Sequence, residues 1–353
     1  MLIECSVPPK LSRVPKYPVV LCHGFSGFDH MFSLPVFSVT TFANQTQPLT
    51  DMFKNLVAGQ QNDSTPNEDA SDWSNKKGDK SLQNAASMSQ MGVDNKGLVD
   101  AANSAKYLIE YWNGVRENLS EHGCSVLIAK VPPFAGIETR ASALDLFLRK
   151  SVPQLRKKHH VPEGEPVKLN LVAHSMGGLD CRYLIFQQLH SLENNKNPPP
   201  YKVVSLTTIS TPHRGTAAAD FAMKYSPPSV ITNYFPSIYE LTSEHMTKFN
   251  NVVENDPSVK YFSYGAQFSP YPGSVFLITW KIVSDKEGPN DGLVSLKSAK
   301  WGDYQGYLDD VDHADLINWM GPMKMAKLAL GVPNFNPKYF YLQVVDNIAA
   351  NGL

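Results

Sequence analysis

Short runs of apolar residues recur along the chain, and each is typical of a strand buried in a parallel sheet. They cover residues 18–22, 125–131, 167–172, 203–209, 261–264 and 276–283. Between several of these runs, apolar residues return at the three- and four-residue steps of an amphipathic helix. The steps predict helices over residues 107–119, 141–155 and 179–192. This alternation predicts an α/β fold in which helices flank a mostly parallel central sheet.

Two stretches depart from this pattern within what we otherwise expect to be a single domain over residues 1–353. Residues 59–97 are mostly Asn, Gln, Ser, Asp and Lys, too polar to offset the entropy of ordering them, which predicts a mobile polar insertion. Residues 216–257 mix apolar and aromatic side chains with prolines, which predicts short helical pieces. These pieces form either a lid over a hydrophobic site or ordinary peripheral helices packed on the core.

The composition excludes several classes of protein. Among 353 residues, 32 Lys and Arg face 33 Asp and Glu, so no field of one sign favours nucleic acid or acidic lipid. A hydrophobic fraction of 42% excludes a largely disordered chain, and no apolar run approaches the ~18 residues of a membrane span. The proline-containing first twenty residues resemble neither a signal peptide nor an Arg-rich presequence, which predicts an intracellular protein.

The four cysteines do not form a recognisable metal or disulfide pattern. Cys5, Cys22, Cys124 and Cys181 lie too far apart in the chain for the paired spacing of a zinc site. Four cysteines in a chain of this length predict buried free thiols, with one long-range bridge at most.

The strongest local motif follows the predicted strand at residues 167–172. It reads Ala-His-Ser-Met-Gly, a variant of the G-x-S-x-G turn in which Ala173 replaces the first glycine. A sharp strand-to-helix turn needs small residues on both sides of the serine, and alanine is still small. Such a turn would expose the Ser175 hydroxyl and aim the Met176 N–H at an attacked carbonyl oxygen. We therefore predict a nucleophilic Ser175; the alternative is a buried serine beside a Gly-Gly turn.

A nucleophilic serine needs a histidine base and an acid that orients the histidine. His313 is the best of the ten histidines because it lies in a polar loop ahead of an apolar helix predicted at residues 316–320; His213 is a weaker competitor. Asp291 lies upstream in an Asn-Asp-Gly turn, which gives the order Ser…Asp…His of α/β-hydrolases. Spacing alone does not choose among Asp291 and the competing acids, which are Asp285, Asp303, Asp309, Asp310 and Asp312.

A second oxyanion donor is expected in the loop after the first strand. There the sequence reads His23-Gly24-Phe25, and the glycine allows the backbone to approach the site closely. The Phe25 N–H would then face the attacked carbonyl oxygen.

Five motifs, in the same order, resemble those of the bacterial true lipases and their fungal relatives, the mitochondrial-type triacylglycerol lipases. They are P-V-V-L-C-H-G-F-S-G-F-D, A-H-S-M-G-G-L-D-C-R-Y, S-T-P-H-R-G-T, N-D-G-L-V-S and D-H-A-D-L. The resemblance implies an α/β-hydrolase fold with Ser175 as nucleophile, Asp291 as orienting acid and His313 as base. It also implies that Phe25 and Met176 supply the oxyanion N–H groups and that residues 210–215 lead into the lid.

The chain departs from the bacterial pattern at two sites. Many bacterial members have a cysteine, used for a disulfide, at the position that corresponds to the neighbourhood of Lys297, where this chain has none. Asp315 matches a calcium ligand of those members, but its partner positions hold Ser269 and Trp319, so Asp315 is the sole remaining candidate ligand. Because calcium needs many oxygen ligands, we expect neither a metal nor another cofactor.

The resemblance implies hydrolysis of long-chain acylglycerols through an acyl-enzyme at a lipid–water interface, in the cytoplasm or in mitochondria. Carboxylesterase, phospholipase and acyl-thioesterase activities would use the same triad. A non-catalytic binding scaffold would be favoured if a triad position were lost, but Ser175, Asp291 and His313 are all present.

Overall fold

A computed structural model of the chain describes residues 1–3, 13–25, 30–31, 109–193, 198–225, 236–271, 273–332 and 334–353. All of them belong to one compact unit, Met1–Phe32 with Ile109–Leu353, whereas the second unit, Ser33–Leu108, lies outside the described residues. The predicted insertion at residues 59–97 falls in that second unit, so its structure, like the single-domain organisation, stays a prediction.

In the described part of the chain, six parallel strands form the central sheet. They are β1 Val19–Cys22, β4 Val126–Ile128, β5 Val167–His174, β6 Tyr201–Ile209, β7 Lys260–Ala266 and β8 Asp303–Leu308. Their spatial order is β4-β1-β5-β6-β7-β8. Two short strands, β2 (His30–Met31) and β3 (Ile109–Glu110), pair antiparallel in a separate ribbon. Because all six main strands run the same way, their carboxyl ends meet at one edge, where loops bring functional side chains together.

The helices connect and cover these strands. In chain order they are α1 Val115–Glu121, α2 Ile137–Lys158, α3 Gly177–Glu193, α4 Ala217–Tyr225, α5 Pro236–Glu240, α6 Ser243–Val252, α7 Leu277–Glu287, α8 Leu296–Ala299, α9 Pro322–Ala329 and α10 Pro337–Ala350. Within the described residues, no helix has the length and apolar character that crossing a bilayer requires.

The core lies on both faces of the sheet. Alternate residues of β1 point to opposite sides, so Leu21 packs with Phe340 and Val345 of α10, whereas Val20 packs with Leu148 of α2 and its neighbours. Strands buried on both faces read as continuous apolar runs, and for this reason the sequence pattern located them well. Five of the six predicted strands are confirmed.

The sixth predicted strand, at residues 276–283, is wrong, because Phe276 is the N-cap of helix α7 and residues 277–283 belong to that helix. Its Ile, Thr, Trp and Val side chains favour a strand locally, yet a short apolar run fits either element. In the structure Val283 is buried and Ile278 is exposed, as expected for a one-sided helix. Strand β8 and helix α10 were not predicted.

Two helix predictions need correction at their ends. The helix predicted at residues 107–119 begins only at Val115, because Gly114 has a positive φ of 68° that a continuing helix excludes. Residues 107 and 108 lie outside the described residues. The helix predicted at residues 316–320 is a short 3₁₀ turn, Asp315–Ile317, ended by Asn318 in the left-handed conformation.

The described parts of residues 216–257 form α4, α5 and α6, the short helical pieces that the sequence predicts. Helix α6 buries Met246 and Phe249 against the body of the protein. Its role as a lid stays a prediction.

Candidate active site

Ser175 lies at the turn between strand β5 and helix α3, with a left-handed φ of 56°. This conformation costs a non-glycine residue on the order of 1 kcal/mol or more, so surrounding contacts must hold it. The Ser175 N–H donates to Ile209 O at 3.0 Å, and the Ser175 carbonyl accepts from Gly178 N at 3.1 Å and Thr211 Oγ1 at 2.7 Å. The turn is thus held by neighbouring strand β6 and the loop that follows it.

Small residues let the chain cross beside the serine, as the motif predicts. A Cβ atom on Gly177 would lie 2.6 Å from His23 O and 2.7 Å from Cys22 O, which excludes any side chain. Ala173 is fully buried, and its methyl group is accommodated. A Cβ atom on Gly24 would lie 2.6 Å from Ser175 Cβ, so the loop after β1 packs directly on the nucleophile turn.

The structure brings Ser175, His313 and Asp291 into one hydrogen-bonded chain. His313 Nε2 lies 2.9 Å from Ser175 Oγ, and His313 Nδ1 lies 2.8 Å from Asp291 Oδ2. Asp291 Oδ1 accepts two further bonds, from Leu293 N at 3.0 Å and Val294 N at 2.8 Å. A carboxylate at Nδ1 requires the proton there, which leaves the Nε2 lone pair to accept the serine proton. The arrangement is therefore suited to activating a hydroxyl nucleophile.

The competing acids all point elsewhere. Asp312, beside His313 in sequence, turns its Oδ1 to the backbone N–H groups of Ala314 and Asp315, each at 3.0 Å. The other four lie at the surface: Asp285 pairs with Lys281, Asp309 accepts from Gln267, Asp310 lies near Lys327, and Asp303 is exposed. Among these candidate acids, Asp291 is the one whose carboxylate contacts the His313 ring in the described part of the chain.

The competing histidine is buried away from the serine. His213 bonds Thr208 Oγ1 at 3.0 Å and stacks on Trp301. Burial, followed by the nearby Arg182 and Arg214 charges, lowers the pKa of His213 well below its usual range. This side chain supports the loop after β6 and does not reach Ser175.

The Gly24–Phe25 peptide is held from several directions. Gly24 O accepts from Arg140 Nη2 at 3.2 Å and lies 3.0 Å from His23 Nδ1, while Gly24 N donates to Tyr111 Oη at 2.9 Å. Because a trans peptide is planar, fixing its carbonyl also fixes the Phe25 N–H in the opposite direction. Arg140 is fully buried and pairs with Asp180 at 2.8 Å.

Sequence reasoning missed Arg140 and Tyr111. A signal was present for Arg140: it falls on the same stripe of α2 as the buried Leu144 and Leu148, where an arginine is unexpected. No comparable signal marked Tyr111, whose partners are far away in the chain.

His174 packs against His313 and forms no hydrogen bond with the serine hydroxyl in the described part of the chain. Its Nδ1 lies 2.7 Å from Tyr111 Oη, and its ring centroid lies 4.5 Å from that of His313. Burial, with a smaller effect of the neighbouring His313, lowers the pKa of His174 well below its usual range. His174 therefore packs against His313 as a neutral ring.

Asp315, the candidate calcium ligand, already has a cationic partner. Its Oδ2 pairs with Lys324 Nζ and accepts from Asp312 N at 2.8 Å. Within the described part of the chain, no cluster of three or more His, Cys, Asp or Glu side chains could hold a metal ion. The residues present do not fit calcium, because an ammonium group fills the place beside Asp315.

The cysteines that the structure describes match their prediction. Cys22, Cys124 and Cys181 are buried free thiols, and burial raises the pKa of Cys124 to about 11. Thiols of this kind are poor nucleophiles, so Ser175 has no competitor among them. Cys5 lies outside the described residues.

Known proteins resemble the chain in sequence and in fold. No protein-family model matches it. Triacylglycerol lipase 2 of Saccharomyces cerevisiae is 36% identical over 365 residues, which span 100% of this chain and 97% of that protein. The crystal structure of Staphylococcus hyicus lipase superimposes with a TM-score of 0.53 at 16% identity, covering 98% of this chain and 99% of that one. Lipase 1 from Pelosinus fermentans gives 0.56 at 16% identity, covering 95% and 98%. These likenesses confirm the predicted α/β-hydrolase fold.

Proposed function

The chain belongs to the triacylglycerol lipase family of α/β-hydrolases and is a lipase-type ester hydrolase, and we propose that Ser175, His313 and Asp291 are its catalytic triad. The observation that carries this assignment is the continuous hydrogen-bonded chain from Ser175 Oγ through the His313 ring to Asp291, with links of 2.9 and 2.8 Å. We further propose that the substrates are long-chain acylglycerols.

The reaction follows from the positions of these atoms. Ser175 Oγ attacks the ester carbonyl carbon while its proton moves to His313 Nε2, and Asp291 stabilises the imidazolium that forms. The tetrahedral intermediate collapses when His313 returns the proton to the leaving alcohol, which gives an acyl-enzyme. Water, deprotonated by the same histidine, attacks the acyl-enzyme and releases the fatty acid and free Ser175.

The oxyanion is stabilised in this proposal by the N–H groups of Phe25 and Met176. The Met176 N–H lies at the amino end of α3, where the helix dipole favours negative charge. The Phe25 N–H direction is set by the bonds of Arg140 and His23 to Gly24 O. Donors fixed in advance are worth more than mobile ones, because they need no reorganisation as charge develops.

A mostly buried apolar cluster beside the proposed oxyanion donors supports a lipid substrate. The side chains of Phe25 and Met176 pack in one cluster with Leu179 of α3 and with Met246 and Phe249 of α6. Residues of the proposed lid segment, 216–257, thus extend the apolar surroundings of the donors. In this proposal the lid segment moves at a lipid–water interface, where its apolar inner side becomes exposed to lipid and not to water, at little cost.

A comparison of substrates tests the proposal. The wild-type enzyme should hydrolyse emulsified long-chain triglyceride faster than dissolved short-chain esters, and the Ser175→Ala variant should give only the background rate on both. A strict preference for dissolved esters would identify a carboxylesterase, and a preference for phospholipid or thioester vesicles would identify those activities. Wild-type rates in the Ser175→Ala variant would disprove the triad itself.

The location inside the cell, cytoplasmic or mitochondrial, belongs to the same proposal. Its support is the sequence resemblance to fungal mitochondrial-type lipases. Cell fractionation checks it, since recovery of the protein from the medium alone would contradict an intracellular site.

A further inference from the structure

A buried lysine lies next to the loop that carries the histidine base. Lys324, on helix α9, has 3% of its side chain exposed, although lysine is almost never buried unless it is paired. Its Nζ pairs with Asp315 Oδ2 and donates to Asp310 O at 2.7 Å. The ammonium therefore joins both ends of the loop 310–315, at whose centre His313 lies.

The loop needs this support because its backbone is constrained. Asp310 has a left-handed φ of 54°, a conformation that non-glycine residues adopt at a cost. Asp315 Oδ2 accepts from Asp312 N at 2.8 Å, and Asp312 Oδ1 accepts from Ala314 N and Asp315 N at 3.0 Å. Both carboxylates thus fold inward and bind the backbone on either side of His313.

Two buried carboxylates so close together would repel each other without a cation. Asp312 and Asp315 are 6% and 1% exposed, and burying an unpaired charge is strongly unfavourable. The ammonium offsets this repulsion, while the two carboxylates accept their backbone hydrogen bonds.

We infer that Lys324 is a positioning residue for the base: its ammonium is a built-in cation that holds loop 310–315, and with it His313, by pairing with Asp315, the residue that matches a calcium ligand of the bacterial lipases. The inference rests on the proposed triad, because it assigns Lys324 an effect only through His313. The serine-to-histidine distance of 2.9 Å then depends on a side chain of the protein and not on a bound metal.

Helix α9 provides a matched control. Lys327 lies one turn further along, and its Nζ is 3.7 Å from Asp310 Oδ2, with 45% of the side chain exposed. A surface pair of this kind contributes little. Lys324 and Lys327 therefore carry the same charge near the same loop, and only the first is buried against the backbone.

The test compares Lys324→Met with Lys327→Met on a dissolved chromogenic ester. In folded Lys324→Met protein, verified by circular dichroism, we expect kcat to fall at least tenfold with KM within twofold, because ester binding does not involve the loop. Lys327→Met should keep both constants within twofold. A folded Lys324→Met protein with wild-type kcat would overturn the inference, as would an equal loss in both variants.

Two further measurements keep the inference testable if Lys324→Met does not fold. In Lys324→Ala, added methylammonium should raise kcat several-fold, whereas the wild type should not respond; absence of any rescue in folded Lys324→Ala would count against a cation role. The wild-type rate should also be unchanged by a chelator or by added calcium, and a loss on chelation would refute a built-in cation. An inactive wild type would contradict the proposed function, whereas an active wild type that needs calcium contradicts only this inference.

Discussion

The Asp291→Asn substitution separates two roles of Asp291, which binds the backbone of its own loop and contacts the His313 ring. Asp291→Asn keeps one carbonyl oxygen, which continues to accept from Leu293 N and Val294 N, so the loop geometry survives. The new amide NH₂ group faces His313 Nδ1 at the present 2.8 Å contact, donor against donor. The imidazole relieves this conflict by moving its proton to Nε2, where it can no longer accept the Ser175 proton.

The expected loss is the full value of a correctly oriented base. Enforcing the wrong tautomer in such a triad lowers kcat by about 10⁴-fold, or about 5.5 kcal/mol of transition-state stabilisation. The assay is steady-state hydrolysis of a chromogenic ester, and a thermal melt verifies independently that the variant enzyme is folded. Asp312→Asn is the matched control, because its remaining oxygen still accepts from Ala314 N and Asp315 N and should cost less than about tenfold. A folded Asp291→Asn enzyme within tenfold of wild type would refute the assignment, and a greater loss in Asp312→Asn would transfer the role to that acid.

Two other substitutions test the loop that carries Phe25 and the partly buried carboxylate of Glu240, which accepts from Ile137 N at the start of α2. Gly24→Ala places a methyl group 2.6 Å from Ser175 Cβ, which should displace the Phe25 N–H and lower kcat by about 10²–10³-fold. The control is Gly164→Ala, whose methyl group meets open space and should leave kcat unchanged. Equal values of kcat in the two variants would contradict the oxyanion assignment. Burial is the largest cause raising the pKa of Glu240 from 4.5 to about 7, so its stabilising contribution is present below about pH 4.5 and lost as pH rises to about 7. Between about pH 5 and about pH 8, the free energy of unfolding of Glu240→Gln, measured with urea, should rise by about 1–3 kcal/mol relative to that of the wild type. This magnitude takes about 1.4 kcal/mol per pKa unit, reduced for solvent screening. A difference between the two proteins that does not change with pH would show that Glu240 does not titrate in this range.

The sequence located the sheet and the nucleophile because both depend on local pattern. Strands buried on two faces must be apolar throughout, and the turn at Ser175 must be flanked by small residues whatever the rest of the chain does. The strand predicted at residues 276–283 was wrong because a short apolar run fits either a strand or a helix. Which of the two forms depends on the neighbouring elements that bury it.

The remaining parts of the site depend on contacts between distant residues. Asp291 could be chosen only by resemblance, since spacing does not show that Asp312 turns towards its own backbone. Arg140 reaches Gly24 O across 116 residues, and nothing local indicates that partner. Lys324 looks like any surface lysine on an amphipathic helix until the fold places Asp315 beside it.

The phenol of Tyr111 has a practical consequence for redesign. Its oxygen accepts a hydrogen bond from Gly24 N, 87 positions earlier, and also bonds His174 Nδ1. One side chain thus connects the loop after the first strand to the turn that carries Ser175. A foreign segment placed between Phe25 and this tyrosine should therefore leave the contacts of the tyrosine hydroxyl with Gly24 and His174 unchanged. An exchange cassette that begins after Phe25 and ends before Tyr111 keeps Gly24, Phe25 and the tyrosine in the chain, whereas one that replaces the tyrosine with phenylalanine would remove the hydroxyl on which both contacts depend.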